Sequence, residues 1–350
     1  MWPFNRMCQS KARLVGKTVL ITGANTGIGK EAAKDLYRRG ARVILACRDL
    51  TKAKAAAEEI KSTPTLKPNR EQFQGEVGEV VVCKLNLTSF ASVRECAKQI
   101  INTEPKIHIL INNAGVMLCP YEKTEDGYEY QFQTNHLGHF LLTLLLLPKI
   151  KDSTPGCRII NVSSMIHKNG HINWNDLNLE NSYTPMKGYT QSKLANVLFS
   201  RGLVHKLKEA KIEGINVYSL HPGVIATELG RHLDSAFFPG ARTLFGLIIG
   251  TFVKTPDRGC QTTIHCAVDE EAGKQTGLYY KECAVASAAS RAQSDEDAAR
   301  LWRRSIKMVK LTEEENPFSV ALPMVPVSQG RFFERRNQTD LKNIGDPSFW

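Results

Sequence analysis

The strongest constraint on this chain is a short apolar run, Thr18-Val-Leu-Ile-Thr22, that passes directly into Gly23-Ala24-Asn25-Thr26-Gly27-Ile28-Gly29 and then into a helical pattern. Glycines between a strand and a helix allow a tight turn and bring the backbone close to a diphosphate, whose charge meets the positive helix end. From Lys17 onward short apolar runs keep alternating with longer helical patterns, which is how a parallel sheet covered on both faces reads. Strands are expected at Thr18–Thr22, Arg42–Ala46, Val80–Leu85, Ile107–Asn112, Arg158–Val162, Ile215–Leu220 and Gly277–Tyr280. Helices are expected at Gly29–Arg39, Lys52–Ser62, Ser89–Asn102, Asn135–Ile150, Tyr189–Lys208 and Gly259–Ala267.

Seven strands interleaved with helices imply an α/β chain with one doubly wound, Rossmann-type domain and a mainly parallel sheet. That domain is expected over residues 15–310, after a basic arm at 1–14 that reads as disordered, with a transit peptide the alternative, and before an irregular, proline-containing tail at 311–350. With 42% hydrophobic and 23% charged residues the chain is an ordinary globular one. Its formal charge of +11 is concentrated in residues 1–60, which hold twelve Lys and Arg against five acids. No basic stripe interleaved with aromatics accompanies that excess, so it points to a phosphorylated ligand and not to nucleic acid. Nine scattered cysteines without paired spacing read as reduced thiols of an intracellular protein, and no metal is implied. Phe140–Leu147, stopped by Pro148, is too short to span a bilayer, and no signal peptide is seen.

The second expected strand ends in Cys47-Arg48-Asp49. An acid at that position binds the ribose 2′-hydroxyl of NAD, whereas an Arg accommodates the 2′-phosphate of NADP. Arg48 favours NADP(H), and Asp49 keeps NAD(H) open. Polar and small residues gather at later strand ends, in Asn112-Asn113-Ala114-Gly115 and Asn161-Val162-Ser163-Ser164, on the edge where doubly wound sheets bind ligands. Tyr189 and Lys193 lie four apart on one helix face. A phenol with an ordinary pKa near 10 is a poor acid–base at neutral pH, and an ammonium one turn away lowers it toward the working range.

Together with Asn135 and Pro222-Gly223, these residues resemble the short-chain dehydrogenase/reductase family across about residues 15–310. Ala46-Cys47-Arg48-Asp49, Asn135-His136-Leu137-Gly138-His139-Phe140 and Ser192-Lys193-Leu194-Ala195-Asn196 are similar to the retinol dehydrogenases numbered eleven to fourteen within it. The resemblance implies Tyr189 as the acid that protonates a carbonyl oxygen, Ser164 as the group that orients that oxygen and so contacts substrate, and Lys193 as the holder of the nicotinamide ribose. Asn135 would anchor a water that links Lys193 to solvent. Cofactor contacts are implied for Gly23, Asn25, Thr26, Gly27, Ile28, Gly29, Arg48, Asn86, Leu87, Asn113, Ala114, Gly115, Tyr189 and Lys193, and for Pro222, Gly223, Val224 and Thr227. Asn86-Leu87 stands where relatives have Asp-Leu, so an amide oxygen would have to accept from the adenine.

The segment from Thr227 to about Pro256 is implied to close over the substrate, and Phe237-Phe238 and Leu244–Val253 make it apolar. Such a lid suits a small lipophilic alcohol, aldehyde or ketone, with retinal the leading candidate, and allows peripheral contact with a membrane. Other carbonyl compounds, hydroxysteroids, or nucleotide binding without turnover are the alternatives. The apolar surplus on the helices at 135–150 and 189–208 is the motive for expecting a homodimer. The mammalian relatives carry an apolar anchor helix that this sequence lacks, which leaves a cytoplasmic place open beside association with endoplasmic reticulum or mitochondrion.

Overall fold

Strands and helices alternate along the chain as β1 (Thr18–Thr22), α1 (Gly27–Arg38), β2 (Arg42–Cys47), α2 (Leu50–Ser62), β3 (Glu79–Lys84), α3 (Phe90–Thr103) and β4 (Ile109–Asn112). A short turn α4 (Tyr130–Phe132) and a π turn at Gln133–Leu137 then lead into α5 (Gly138–Lys151), followed by β5 (Cys157–Val162), α6 (Pro185–Glu209) and β6 (Ile215–His221). The remainder is α7 (Pro256–Gly259), α8 (Gln261–Val268), β7 (Leu278–Lys281), β8 (Ala284–Ala286) and α9 (Asp295–Met308). The computed structural model describes residues 6–63, 70–225 and 254–319. Thr227 and nearly all of the expected lid lie outside the described residues.

One sheet carries all of these strands in the order β3-β2-β1-β4-β5-β6-β7-β8. Every pairing is parallel except the last, between β7 and β8. The order reverses between β1 and β4, so loops leaving the carboxyl ends of those two strands diverge and open a crevice there. Among the described residues the strand count is eight, not the seven expected from sequence. The missed strand pairs Lys281 with Ala284 across a two-residue turn, Glu282-Cys283, with φ of 53° and 54°. Turns of that conformation normally use Asn or Gly, so this one leaves no local signal.

The sheet's two faces build two cores. One joins α3, α5, α6 and α9, and the other joins α1, α2 and α8. Helix α5 is apolar all round because it sits inside the first core, with Leu141, Leu142, Leu144 and Leu146 sealed from solvent. Helix α9 is absent from the sequence expectations although it is well marked. Ser294 caps its first turn by accepting from the Asp297 N–H, and Asp295, Glu296 and Asp297 sit at its positive end. Its Trp302 packs on Phe140 and Phe199, with ring centroids 5.1 and 6.1 Å apart, and Phe318 covers it in turn at 5.8 Å. The apolar surplus of α5 and α6 is thus taken up in part within the chain itself.

The described part of the N-terminal arm is held down. Cys8 and Ser10 are buried, and the sealed guanidinium of Arg39 donates to the carbonyls of Ser10 and Ala12 while pairing with Asp35. Each of those carbonyls would be costly to bury unpaired, so Arg39 offsets the desolvation of the strap it anchors.

Candidate active site

The turn between β1 and α1 has the geometry that an anionic ligand requires. Gly23 and Gly27 adopt φ of 66° and 57°, and no side chain caps α1, because Thr26 makes no cap bond and leaves the first N–H groups of the helix to a ligand. A Cβ on Gly23 would stand 2.9 Å from Cβ of Ala114. On Gly29 it would stand 2.5 Å from Nδ2 of Asn113 and 2.7 Å from the carbonyl oxygen of Gly23. Gly29 therefore serves close packing: it admits the Asn113 amide, which donates to the Thr22 carbonyl at 2.8 Å. Asn25, Gly27 and Ile28 are half-buried around this turn, and Thr26 is exposed.

At the end of β2 the two candidate ribose residues part company. The Asp49 carboxylate caps α2, accepting from the Lys52 N–H at 3.0 Å. Arg48 is exposed and pairs with no carboxylate among the described residues; its Nη1 donates to the Tyr130 hydroxyl at 3.2 Å. At the end of β3, Oδ1 of Asn86 already accepts from the Thr88 hydroxyl at 2.8 Å and its N–H at 3.3 Å. The amide was expected to accept through that oxygen; the group it has left for a base is the Nδ2 amine. Leu87 is buried, and Gly138 lets its backbone approach, since a Cβ there would lie 2.8 Å from the Leu87 carbonyl.

The other half of the edge is made of buried polar side chains. The π turn at Gln133–Leu137 aims Asn135, which is sealed from solvent, back at the strand β4 exit. Its amide donates to the Val116 carbonyl and to the Ser192 hydroxyl, both at 2.9 Å, and accepts from the Val116 N–H at 2.8 Å. Gly115 sits beside it, where a Cβ would stand 3.3 Å from Oδ1 of Asn135 and 3.4 Å from Nζ of Lys193. Lys193 is almost fully buried and donates to the Val162 carbonyl at 3.1 Å, leaving two N–H bonds for a ligand. Its backbone carbonyl accepts from the Ser163 hydroxyl at 2.7 Å, so the second serine, Ser164, is the one left half-exposed at the site.

Tyr189 lies over Lys193, with the ammonium 5.8 Å from the ring centroid. Burial pushes the Tyr189 hydroxyl up to about 12, partly offset by a hydrogen bond with Ser164. Burial likewise brings the Lys193 ammonium down to about 8. Burial shifts the Tyr189 hydroxyl upward in this geometry, opposite to the lowering expected from the Lys193 spacing, and the Lys193 ammonium is directed at a backbone carbonyl.

Sequence reasoning gave His139 a structural role without its partners and gave Ser192 none. Ser192 was visible only as the neighbour of Lys193. His139 joins both halves: the Thr22 hydroxyl accepts from the N–H groups of Asn113 and Ala114, both at 2.9 Å, so its own proton goes to Nε2 of His139 at 2.8 Å. Nδ1 then donates to the Asn135 carbonyl at 3.0 Å, and burial keeps the ring neutral by bringing its pKa down to about 4. Pro222 and Gly223, the latter at φ 104°, follow β6 half-buried, and Val224 is exposed beyond them.

A family model described as short chain dehydrogenase matches residues 17–236. Retinol dehydrogenase 11 of Homo sapiens is 45% identical over 305 residues, which cover 87% of this chain and 89% of that one. Retinol dehydrogenase 13 of Homo sapiens is 46% identical over 305 residues, covering 87% and 88%. Among solved structures, a putative uncharacterized protein from Mycobacterium Paratuberculosis superposes with a TM-score of 0.67 at 34% identity, covering 85% of this chain and 95% of the other.

Proposed function

The chain belongs to the short-chain dehydrogenase/reductase family, an NAD(P)-dependent oxidoreductase acting on CH–OH groups, and from that premise we propose that it reduces a lipophilic aldehyde with NADPH, retinal first among them. A nicotinamide held at this edge supplies the hydride, or takes it in the reverse direction. The turn at Gly23–Gly29, the uncapped start of α1 and the free N–H bonds of Lys193 fit a dinucleotide laid from β2 to β5.

The observation that carries the reading is the placement of Ser164, Tyr189 and Lys193 together beside the uncapped start of α1, where the phenol can act as acid in one direction and as base in the other. A phenol held near 12 keeps its proton at neutral pH and can give it to a carbonyl oxygen as that oxygen becomes an alkoxide, a much stronger base. Ser164 donates to the same oxygen and orients it. Lys193, drawn toward the ribose and the phenol, stabilises the phenolate that remains, so the positive charge is useful after transfer and not before it. Asn135 braces the helix that carries both groups through Ser192 and sets the position of Val116 across from them.

NADP(H) is favoured over NAD(H) because Asp49 is committed to its cap whereas Arg48 is free to meet a phosphate. The apolar character of the substrate is supported by Met165, which follows Ser164, and Val224, which follows Gly223; they are 47% and 41% exposed. Among the described residues no helix is long and apolar enough to cross a membrane.

The test is reduced-nicotinamide absorbance with purified protein, using NADPH and NADH against all-trans-retinal, a medium-chain aldehyde and a steroid ketone. NADPH-dependent loss of retinal is expected in the wild type, with turnover down about 10³-fold or more in Tyr189→Phe at unchanged NADPH affinity. Turnover of the steroid ketone alone would reassign the substrate, and NADPH binding without any turnover would leave a nucleotide-binding protein.

A further inference from the structure

Cys47 and Lys84 are register partners at the carboxyl ends of β2 and β3. Lys84 extends from that position across the β2–α2 turn, and its ammonium donates to the Arg48 carbonyl at 2.6 Å. Arg48 in turn donates to the Tyr130 hydroxyl, on the short turn that precedes Asn135. Lys84 and Tyr130 are therefore both hydrogen-bonded to Arg48, the first at its carbonyl and the second at its guanidinium. Among the described residues neither Arg48 nor Lys84 pairs with a carboxylate, although the surrounding surface is rich in matched pairs such as Lys30 with Glu59 and Lys61 with Glu58. The nearest acid in sequence, Asp49, is turned to the first turn of α2. Two cations that hydrogen-bond here only to neutral oxygens leave positive charge at this strand end that an anion would neutralise.

We propose that Lys84 and Tyr130 complete the 2′-phosphate site of NADP, with Lys84 as a second cation beside Arg48 and the Tyr130 hydroxyl as a third donor. The proposal rests on the NADP reading above. Lys84 keeps two N–H bonds after serving the Arg48 carbonyl, and Arg48 keeps four after serving Tyr130. Tyr130 accepts from Arg48 and so retains its own O–H to give to a phosphate oxygen. A phosphate with two charges is matched by two cations, which one Arg alone does not achieve. Tyr130 also ties recognition of the phosphate to the segment that positions Asn135, since only two residues separate it from the π turn.

Equilibrium titration of the full chain with NADPH, NADH, adenosine 2′-phosphate and adenosine 5′-phosphate tests this through fluorescence, independently of turnover. Lys84→Gln is expected to weaken NADPH and adenosine 2′-phosphate about tenfold while changing NADH and adenosine 5′-phosphate less than about twofold. Lys84→Arg, which keeps the charge, should restore most of the NADPH affinity, and Tyr130→Phe should cost about threefold for the 2′-phosphorylated ligands only. Lys84 is exposed and Tyr130 half-buried, and Tyr130→Phe keeps the ring, so neither change should disturb folding. Equal shifts for both nucleotides in Lys84→Gln, or none for NADPH, overturn the proposal. Arg48→Ala separates the two levels: if it selectively weakens NADPH about tenfold while Lys84 and Tyr130 do nothing, only the enlarged site fails. If Arg48→Ala weakens NADPH and NADH alike, the NADP reading fails and the enlarged site with it.

Discussion

At the ends of β1, β2 and β3 the site consists of backbone conformation and half-exposed side chains, whereas beyond β4 and β5 and along α6 it consists of buried polar groups that hold one another. Gly23, Gly27, Thr26 and Arg48 belong to the first kind. Asn135, Ser192, Lys193 and His139 belong to the second, each at most 3% exposed. The nucleotide half meets a large, charged, solvated ligand, so it needs room, N–H groups and charge, which glycines and surface cations provide without much packing. The reacting half must place single atoms, and a buried network whose members hold one another does that with little freedom while Lys193 keeps N–H bonds for a ligand.

This contrast is sharpest at Lys193. Lys193→Met should lower turnover about 10²–10³-fold and yet stabilise the ligand-free protein at pH 7. Burial holds the ammonium near 8 in the folded chain against an ordinary 10.5, so below pH 8 the cost of burying the charge is present in full. As pH rises from about 8 to 10.5 the folded chain has lost a proton that the unfolded chain still binds, and this group's penalty disappears. Urea unfolding at pH 7 should therefore show a gain of up to about 3 kcal/mol that shrinks toward pH 10. A loss of stability at pH 7 would mean that the ammonium is well satisfied where it lies.

Asn135→Ala comes next, because it deprives the Val116 N–H, the Val116 carbonyl and the Ser192 hydroxyl of their partner at once. A loss of about 2–4 kcal/mol is expected, with kcat falling about tenfold or more and NADPH affinity little changed. Stability within about 0.5 kcal/mol of the wild type would show that the two halves are less different than their burial implies.

Gly29→Ala should have the smallest effect on folding and a large one on nucleotide. The added Cβ meets Nδ2 of Asn113 at 2.5 Å, and the amide must leave the Thr22 carbonyl to relieve it. Overpacking of this sort costs about 1–3 kcal/mol, expressed as an NADPH affinity roughly tenfold weaker with kcat at saturation nearly intact. A change confined to kcat would place Gly29 with the reacting half and break the comparison.

Legibility followed the same division. The glycine turn, Arg48 and the Tyr189–Lys193 spacing were proposed from local rules, namely φ freedom, charge at a strand end and one helical turn, whereas Ser164 was implied only by the family resemblance. Helix α9 also carries a local signal, Ser294 followed by three acids, and lies beyond the last strand expected from sequence. Strand β8 carried none, its turn being made by Glu282 and Cys283 and not by the residues such a turn prefers. Asn86 was read correctly as an amide, but which of its atoms faces a ligand depends on Thr88 having taken the oxygen.

The amino-acid sequence by itself determined the alternation of strand and helix, hence the doubly wound sheet, its crevice and the kind of ligand laid there, because periodicity and glycine placement act within a few residues. Only the tertiary structure decided that Asp49 is a helix cap whereas Arg48 pairs with no carboxylate among the described residues, that Lys84 and Tyr130 hydrogen-bond to Arg48, and that burial raises the Tyr189 hydroxyl. Those outcomes depend on burial and on partners tens of residues away in the chain, and no local pattern contains the desolvation energy that sets them.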